Sequence, residues 1–198
     1  MNKEKQQHIS HILSKKTVGI AGAGGLGSNA AISLARSGIG CLIIIDHDIV
    51  EESNLNRQYY FHDQIGRHKV NALKENIRRI NPQITVTSIQ KKLRKGQMHT
   101  PFVDVDVIIE ALDDAETKKM FIEEITETLP SIPLVAASGV AGYGKSEQIT
   151  TRNLDHLYVV YDEDAESSDN DVLLAPKVCL MANWQANITL ELLLGDTI

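Results

Sequence analysis

Apolar residues in this chain fall into short runs that alternate with longer amphipathic stretches. Runs rich in apolar and β-branched residues are typical of parallel strands, because both faces of such strands are covered. These runs occupy residues 17–21, 41–46, 84–89, 105–111 and 134–138. Between them, apolar residues recur at helical spacing over residues 26–38, 66–81 and 113–129. This alternation predicts an α/β fold with a Rossmann-like, doubly wound, mostly parallel sheet.

The last third of the chain departs from this alternation. After Ser138, three glycines precede two runs, 147–151 and 157–161, which predict strands that are antiparallel or lie at the sheet edge. Residues 162–171 are acidic and predict a solvated loop. We therefore expect an antiparallel edge extension on the parallel sheet.

Helices are predicted at both ends of the chain. Residues 1–16 are polar with weak apolar spacing, which predicts a short leading helix. Residues 178–194 predict a closing helix whose polar residues share one narrow stripe, formed by Asn183, Asn187 and Glu191. Most of its circumference should therefore be covered, either by the fold itself or by the second subunit of a homodimer. We expect one domain over residues 1–198.

Composition excludes several classes of protein. The chain has 198 residues, 42% hydrophobic and 23% charged, as in an ordinary globular domain. Its net charge of −6 does not predict a nucleic-acid partner. Cys41 and Cys179 form no Cys-x-x-Cys pair and indicate neither zinc nor a disulfide framework. No apolar signal core or membrane-spanning run is present, so we expect a cytoplasmic protein without a membrane partner.

A glycine-rich turn over residues 22–28 lies between the first predicted strand and the first core helix. A turn without Cβ atoms lets the backbone touch a phosphate, and the free N–H groups of the helix start point at the anion. The setting of Gly22, Gly24 and Gly27 predicts a nucleotide site more strongly than a simple packing turn. The turn alone does not identify the nucleotide.

Charged side chains follow this turn at positions that suit a nucleotide. Asp46 ends the second strand, about twenty residues after the glycines, where a doubly wound fold places a ribose-binding carboxylate. A solvated strand end is the alternative for Asp46. Lys69 begins the next predicted helix at the edge of its apolar stripe, where a long cation can reach over the sheet.

Together these segments resemble the ubiquitin-activating-enzyme superfamily, specifically its bacterial ThiF/MoeB-type branch. The matching stretches are residues 22–28, 46–48 (Asp-His-Asp), 53–58 (Ser-Asn-Leu-Asn-Arg-Gln), 66–69 (Gly-Arg-His-Lys) and 111–114 (Ala-Leu-Asp-Asp). Their order and spacing cover about residues 17 to 140. The Asn-x-x-Arg element within 53–58 is far more specific than the glycine turn.

The resemblance implies an adenylyltransferase that uses ATP and Mg²⁺. Such enzymes adenylate the C-terminal glycine of a small ubiquitin-like sulfur-carrier protein ending in Gly-Gly and release pyrophosphate. Attack of a carboxylate on an α-phosphate brings two anions together, so positive groups must offset their repulsion. The chain looks like the short form of the family, which is associated with thiamine biosynthesis. Residues 139–198 would then be the carrier-facing and closing segment.

The family's functional residues carry over to matching positions of this chain. The catalytic residues would be Arg57 and Lys69 at the phosphates and Asp113 at the metal. Asp46 would hold the ribose and Asn54 would orient the phosphate chain. The ATP-binding residues implied by the resemblance are Gly22, Gly24, Gly25, Gly27, Asp46, Asp48, Asn54, Arg57 and Lys69. Taken singly, Arg57 and Lys69 could form surface ion pairs and Asp113 could cap a helix.

The chain also departs from the family pattern. Relatives commonly carry an N-terminal Arg that reaches the phosphates of the neighbouring subunit, but no Arg precedes Arg36 here. No cysteine lies within residues 139–171, where relatives place a reactive thiol, so we expect adenylation without a thioester step. Three other functions remain open: activation of another carboxylate on a small molecule or tRNA base, an NAD-type oxidoreductase, and a non-catalytic scaffold that binds the carrier.

Overall fold

A computed structural model describes residues 3–165 and 172–195. Its strands are β1 (Thr17–Ala21), β2 (Cys41–Asp46), β3 (Thr85–Gln90), β4 (Val107–Glu110), β5 (Leu134–Ser138), β6 (Ile149–Leu154) and β7 (Leu157–Asp162). Its helices are α1 (Lys3–Leu13), α2 (Gly25–Ser37), α3 (Lys69–Ile80), α4 (Ala115–Thr128) and α5 (Ala175–Leu194).

The strands form one seven-stranded sheet in the order β3-β2-β1-β4-β5-β7-β6. Every neighbouring pair is parallel except β6 and β7, which are antiparallel at one edge. The chain runs outward from β1 to β3 and then returns to β4 on the other side of β1, so the strand order switches beside β1. Ligands of doubly wound folds bind at such a switch point, outside the carboxyl ends of the strands. The predicted fold class, including the antiparallel edge extension, is confirmed.

Helices cover both faces of the sheet. One face packs against α2, α3 and α5, whose apolar residues join those of β1 and β2 in a single core. The other face packs against α4, where Phe121 meets Phe102 edge-on with ring centroids 5.7 Å apart. Burial on both faces explains why the central strands read as continuous apolar runs.

Several element boundaries differ from those expected from the sequence. Strand β4 is shorter than the apolar run 105–111, because Asp106 instead accepts hydrogen bonds from the Lys16 side chain and the Thr17 amide. Helix α5 begins at Ala175, three residues before the expected start, with Pro176 in its first turn. Proline favours that position because its missing N–H would have no partner there.

The expected acidic loop needs a correction at its first residue. Asp162 is the last residue of β7 and is buried, with an ion pair to Lys177. The local sequence predicts a solvated residue there, because Asp162 carries the same charge as the acidic residues after it and its distant partner Lys177 is not visible in the local pattern. Residues 166–171 of that loop lie outside the described residues.

Glu124 of α4 holds the connection that follows β3. Its carboxylate accepts hydrogen bonds from the backbone N–H groups of Gly96, Met98 and His99, and it pairs with the His99 ring at 2.8 Å. Burial raises the pKa of Glu124, but the hydrogen bonds from His99 and the three amides outweigh this effect and leave the pKa below its ordinary value. The ionised carboxylate therefore stabilises the fold.

Replacing Glu124 with glutamine should lower the free energy of unfolding by about 2 kcal/mol at neutral pH. The reason is that at least one of the backbone N–H donors would then face the side-chain NH₂ group, which cannot accept a hydrogen bond. A depressed folded-state pKa contributes stability above the ordinary glutamate pKa, and this contribution is lost as pH falls through the folded value. The difference between wild type and Glu124→Gln should thus shrink on acidification. Chemical denaturation across pH measures it, with exposed Glu127→Gln as control; equal stability at neutral pH would contradict the role.

None of the helices within 3–165 and 172–195 combines the length and apolar character that a membrane crossing requires.

Candidate active site

An open cleft of about 1040 Å³ runs along the carboxyl ends of the strands. We call its part near β1, β2 and β3 the turn side; it is lined by Gly22, Gly24, Gly25, Leu26, residues 45–48, Lys69 and residues 91–93. We call its part near β5 and β7 the far side; it is lined by residues 137–141, 161–163, Ala165, Leu173 and Val178. Arg57, Gln58, residues 111–115, Thr117 and Lys118 complete the lining.

The glycine turn is held in place by backbone contacts. Gly22 has φ of +98° and donates its N–H to the Ile45 carbonyl at 2.8 Å. A Cβ at Gly22 would lie 2.4 Å from the Ala111 carbonyl oxygen, so only glycine fits. In the described structure no side chain caps α2, so the amides at the start of α2 remain available to an anion in the cleft.

Gly27 has a different role from the other glycines. It is not part of the cleft lining within the described chain. A Cβ at Gly27 would lie 2.0 Å from the Gly22 carbonyl oxygen and 3.2 Å from Ala111 Cβ. Gly27 therefore lets α2 pack closely against the turn, and its predicted direct contact with ATP stays a prediction.

Asp46 connects the turn to the end of β2. One carboxylate oxygen accepts the Ala23 N–H at 2.6 Å and the other accepts the Asp48 N–H at 2.8 Å. The Ala23 carbonyl accepts the Tyr60 hydroxyl at 2.7 Å. Burial, together with the charges of Asp46 and Asp48, raises the pKa of Tyr60 well above its ordinary value, so the hydroxyl stays protonated and donates. Asp46 thus shapes the turn as well as lining the cleft.

The loop that carries Arg57 is tied to the first turn of α2. Asn29 donates to the carbonyls of Gly25 and Arg57, and Ser28 accepts the Tyr59 N–H at 3.0 Å. The Arg57 guanidinium donates to the Ser53 carbonyl and to Asn56 Oδ1. It pairs with no carboxylate in the described structure, so its charge is available at the cleft.

Lys69 lies at the base of the turn side, as the first residue of α3. It is 6% exposed, and its Nζ lies 2.9 Å from Asp48 Oδ2. An ammonium has three N–H donors, and the described structure uses one of them for Asp48. Lys69 is therefore a cation fixed by a carboxylate with donors left for a ligand.

The two acidic residues after β4 have separate roles. Asp114, not Asp113, caps α4: its carboxylate accepts the Thr117 N–H at 2.7 Å. This bond holds the pKa of the exposed Asp114 carboxyl below its ordinary value. Asp113 is exposed at the cleft and accepts no hydrogen bond within the described residues. Its carboxylate is thus free to bind a cation.

Asn54 is separated from the other predicted residues. It is buried, and its Oδ1 accepts the Glu51 N–H at 3.1 Å within its own turn. It does not belong to the cleft lining of the described chain. Its predicted role in orienting the phosphate chain therefore stays a prediction, while the structure gives it a role in shaping the loop that leads to Arg57.

Sequence reasoning missed two groups in the cleft. Gln58 is 9% exposed, and its buried Oε1 finds no donor among the residues described. Lys118 of α4 lines the cleft and donates to Glu110, which is fully buried at the end of β4, and to the Ala137 carbonyl. Burial raises the pKa of Glu110, opposed by the charge and hydrogen bond of Lys118. Gln58 could have been found from the sequence, because it directly follows Arg57 in the motif of residues 53–58. The pairing of Glu110 with Lys118 could not, because it depends on tertiary structure.

Lys91 and Lys92 are exposed and also line the turn side. Both follow β3, whose end lies beside that of β2. They add positive charge to the part of the cleft that holds the glycine turn.

Neither cysteine belongs to the cleft lining within the described residues. Cys179 lies in α5, and burial raises the pKa of its thiol. A thiol with a raised pKa is mostly protonated at neutral pH and is a poor nucleophile. Adenylation without a thioester step stays a prediction.

The fold and cleft define a doubly wound α/β protein with an open cleft at the switch point of its sheet. The sequence model of the ThiF family matches residues 2–198, and the chain belongs to this family. The chain is 30% identical over 184 residues to the sulfur carrier protein ThiS adenylyltransferase of Escherichia coli K12, covering 89% of this chain and 71% of that protein. The resemblance identified from the sequence is thus confirmed.

Other relatives are longer than this chain. It is 35% identical over 127 residues to the adenylyltransferase and sulfurtransferase uba4 of Aspergillus clavatus, covering 64% of this chain and 25% of that protein. Among the first relatives that it matches, the chain spans between a quarter and two fifths of their length.

A solved structure shows the same fold. It is that of E. coli tRNA N6-threonylcarbamoyladenosine dehydratase, TcdA, in complex with ATP, which superposes with a TM-score of 0.87 at 22% identity. The superposition covers 96% of this chain and 90% of that one. At this identity the likeness shows the fold alone.

Proposed function

We propose that this protein adenylates the C-terminal glycine of a small ubiquitin-like sulfur-carrier protein at the expense of ATP. One observation carries this proposal: a single cleft has the glycine turn, Arg57 and Lys69 at one side and the far side, near β5 and β7, opposite them. The turn side suits a nucleotide, and the far side leaves room for a second, carboxylate-bearing substrate.

The reaction joins two anions. A carboxylate oxygen of the carrier attacks the α-phosphorus of ATP, the bond from that phosphorus to the bridging oxygen breaks, and pyrophosphate leaves. The product is an acyl-adenylate. Arg57 and Lys69 offset the repulsion and stabilise the charge that develops on the phosphates, while the fixed walls hold the reactants in line. No general base is required, because the attacking carboxylate is already ionised.

The residues on the turn side fit ATP. The start of α2 offers unpaired amides to the phosphates, and Asp46 retains acceptor capacity for ribose hydroxyls beyond its two amide donors. The unsatisfied Gln58 oxygen indicates a polar partner supplied by solvent or ligand.

The carboxylate chemistry of Asp113 fits Mg²⁺, a hard cation that prefers oxygen ligands. When bound there, Mg²⁺ would supply positive charge to the phosphates. A second group of possible ligands, Asp46, His47 and Asp48, lies together on the turn side. Lys69 already occupies Asp48, so we assign the metal to Asp113.

The carrier substrate is supported by the likeness to the ThiS adenylyltransferase of E. coli. We extend this to a carrier that ends in Gly-Gly and acts in thiamine biosynthesis, and to a homodimeric, cytoplasmic enzyme. A carrier tail ending in glycine is consistent with the far side, since small residues such as Ala137, Gly139 and Ala141 line that part of the cleft. Activation of another carboxylate remains the main alternative, because proteins of this fold are named for other substrates.

Carrier-dependent exchange of labelled pyrophosphate into ATP tests the function. We expect exchange only when ATP, Mg²⁺ and a carrier ending in Gly-Gly are all present, and no exchange with the same carrier lacking its last glycine. Exchange with a small carboxylic acid or with tRNA in place of the carrier would support the alternatives. Carrier binding without exchange would instead indicate a scaffold, and calorimetric binding of NAD but not ATP would indicate an oxidoreductase.

A further inference from the structure

A buried ion pair joins two segments of the far side. Lys177 Nζ lies 2.8 Å from Asp162 Oδ2, and the two side chains are only 7% and 2% exposed. The same ammonium donates to the Ala141 carbonyl at 2.6 Å. One cation thereby connects the end of β7, the connection after β5 and the first turn of α5.

Stability of the fold alone does not account for this ion pair. Lys177 lies in the first turn of α5, where the helix dipole disfavours a cation. Apolar residues of similar volume often replace buried ion pairs without loss of stability, and the best-attested use of such pairs is to fix register. Burial raises the pKa of Asp162, but the Lys177 hydrogen bond and charge, with the Asp164 amide and Lys145, leave it below its ordinary value. The Asp162 carboxylate is therefore ionised at neutral pH.

Close contacts extend from this pair across the cleft. A Cβ at Gly139 would lie 2.4 Å from the Asp162 carbonyl oxygen, so the backbone at Gly139, on the far side, packs directly against the end of β7. Val178 follows Lys177, and its Cγ1 lies 2.8 Å from where a Cβ of Gly25 would be. Moving Lys177 would thus shift both the far side and a residue that touches the glycine turn.

We infer that Asp162 and Lys177 are positioning residues that set the far side at a fixed distance from the glycine turn. This inference rests on the proposed function, in which the carrier tail lies on the far side and ATP on the turn side. In-line attack requires the carboxylate within about 3 Å of the phosphorus, and a displacement of about 1 Å can cost about 10²-fold in rate.

A charge-free double variant tests the inference. Lys177→Met alone should lower the melting temperature, because it leaves the Asp162 carboxylate buried without a partner. Asp162→Asn combined with Lys177→Met should recover most of that loss. In the double variant we expect kcat/KM for the carrier to fall at least about tenfold, while the Kd for ATP stays within about twofold of wild type.

The control is the remote pair Lys16–Asp106, which has the same residue types and an Nζ–Oδ1 distance of 2.9 Å but is about one third exposed. It lies at the amino ends of β1 and β4. Lys16→Met with Asp106→Asn should leave both the carrier kinetics and the Kd for ATP unchanged. If it lowers kcat/KM for the carrier as much as the Asp162/Lys177 double variant does, the effect is not local to the far side and the inference is overturned.

Two further results would overturn the inference: wild-type carrier kinetics in the Asp162/Lys177 double variant, or a Kd for ATP that weakens as much as kcat/KM. If the wild-type protein shows no carrier-dependent exchange, the proposed function fails instead. Hydrogen exchange then judges the inference alone. Faster amide hydrogen exchange at residues 139–142 in the double variant supports the inference, and an unchanged hydrogen-exchange rate contradicts it.

Discussion

Replacing Arg57 with alanine is expected to lower carrier-dependent ATP–pyrophosphate exchange at least about 10²-fold, the effect of removing one preorganised charge contact. Arg57 borders the glycine turn, and within the described residues its guanidinium bonds only to the Ser53 carbonyl and Asn56. No carboxylate neutralises it, so its charge is available to the phosphates. The fold should be little affected, because neither contact joins distant segments.

The control for Arg57 is Arg78→Ala. Arg78 is exposed in the last turn of α3, at the end of that helix remote from Lys69. We expect its exchange rate to equal that of wild type. An Arg57→Ala protein that is folded, as judged by its melting temperature, and that exchanges at the wild-type rate would remove Arg57 from the mechanism.

Replacing Gly27 with alanine is expected to lower the free energy of unfolding by about 3 kcal/mol, as overpacking in a rigid site does. Helix propensity alone predicts the opposite, a gain of about 1 kcal/mol for alanine over glycine. The Cβ would lie 2.0 Å from the Gly22 carbonyl oxygen, and that carbonyl belongs to a turn fixed by Ile45 and Asp46. Neither side can move without displacing α2 from the turn.

Gly25→Ala provides the comparison for Gly27→Ala. Gly25 also lies in the first turn of α2, but its Cβ would meet a single side-chain atom, Val178 Cγ1 at 2.8 Å, and no backbone atom within 3.4 Å. Chemical denaturation should therefore show a clearly smaller loss than for Gly27→Ala. Equal stability of wild type and Gly27→Ala would show that the close approach is not constraining.

The sequence predicted the fold well where a pattern is local. The bounds of β1, β2 and β5 agree with the apolar runs, because these strands are covered on both faces. Helix α2 ends at Ser37 and is followed by Gly38 with φ of +90°, a conformation at which glycine commonly ends helices. For β7 the sequence predicted only part of the pairing. Its antiparallel partner β6 agrees with the expected edge extension, but its parallel pairing with β5 was not predicted. Strand neighbours are chosen by tertiary packing.

The candidate site was predictable only in part. The structure brings Asp46, Arg57, Lys69 and Asp113 to one cleft. The sequence suggests this because each of them lies at the end of a predicted strand or in the segment that follows one. Asn54 Oδ1 accepts a hydrogen bond within its own turn, and Gly27 lies where α2 packs against the turn, so the ligand contacts predicted for these two residues stay predictions. The buried partners Glu110–Lys118 and Asp162–Lys177 were missed because charged residues usually indicate solvent-exposed positions.

A crystal structure of the protein with ATP and Mg²⁺ tests most directly whether cations beside the glycine turn bring a nucleotide and a carboxylate together. We predict phosphate oxygens against the amides at the start of α2, within hydrogen-bond distance of Arg57 and Lys69, with the α-phosphate open to the far side. A nucleotide whose phosphates lie away from both cations, or whose α-phosphate is closed off from the far side, would contradict the account.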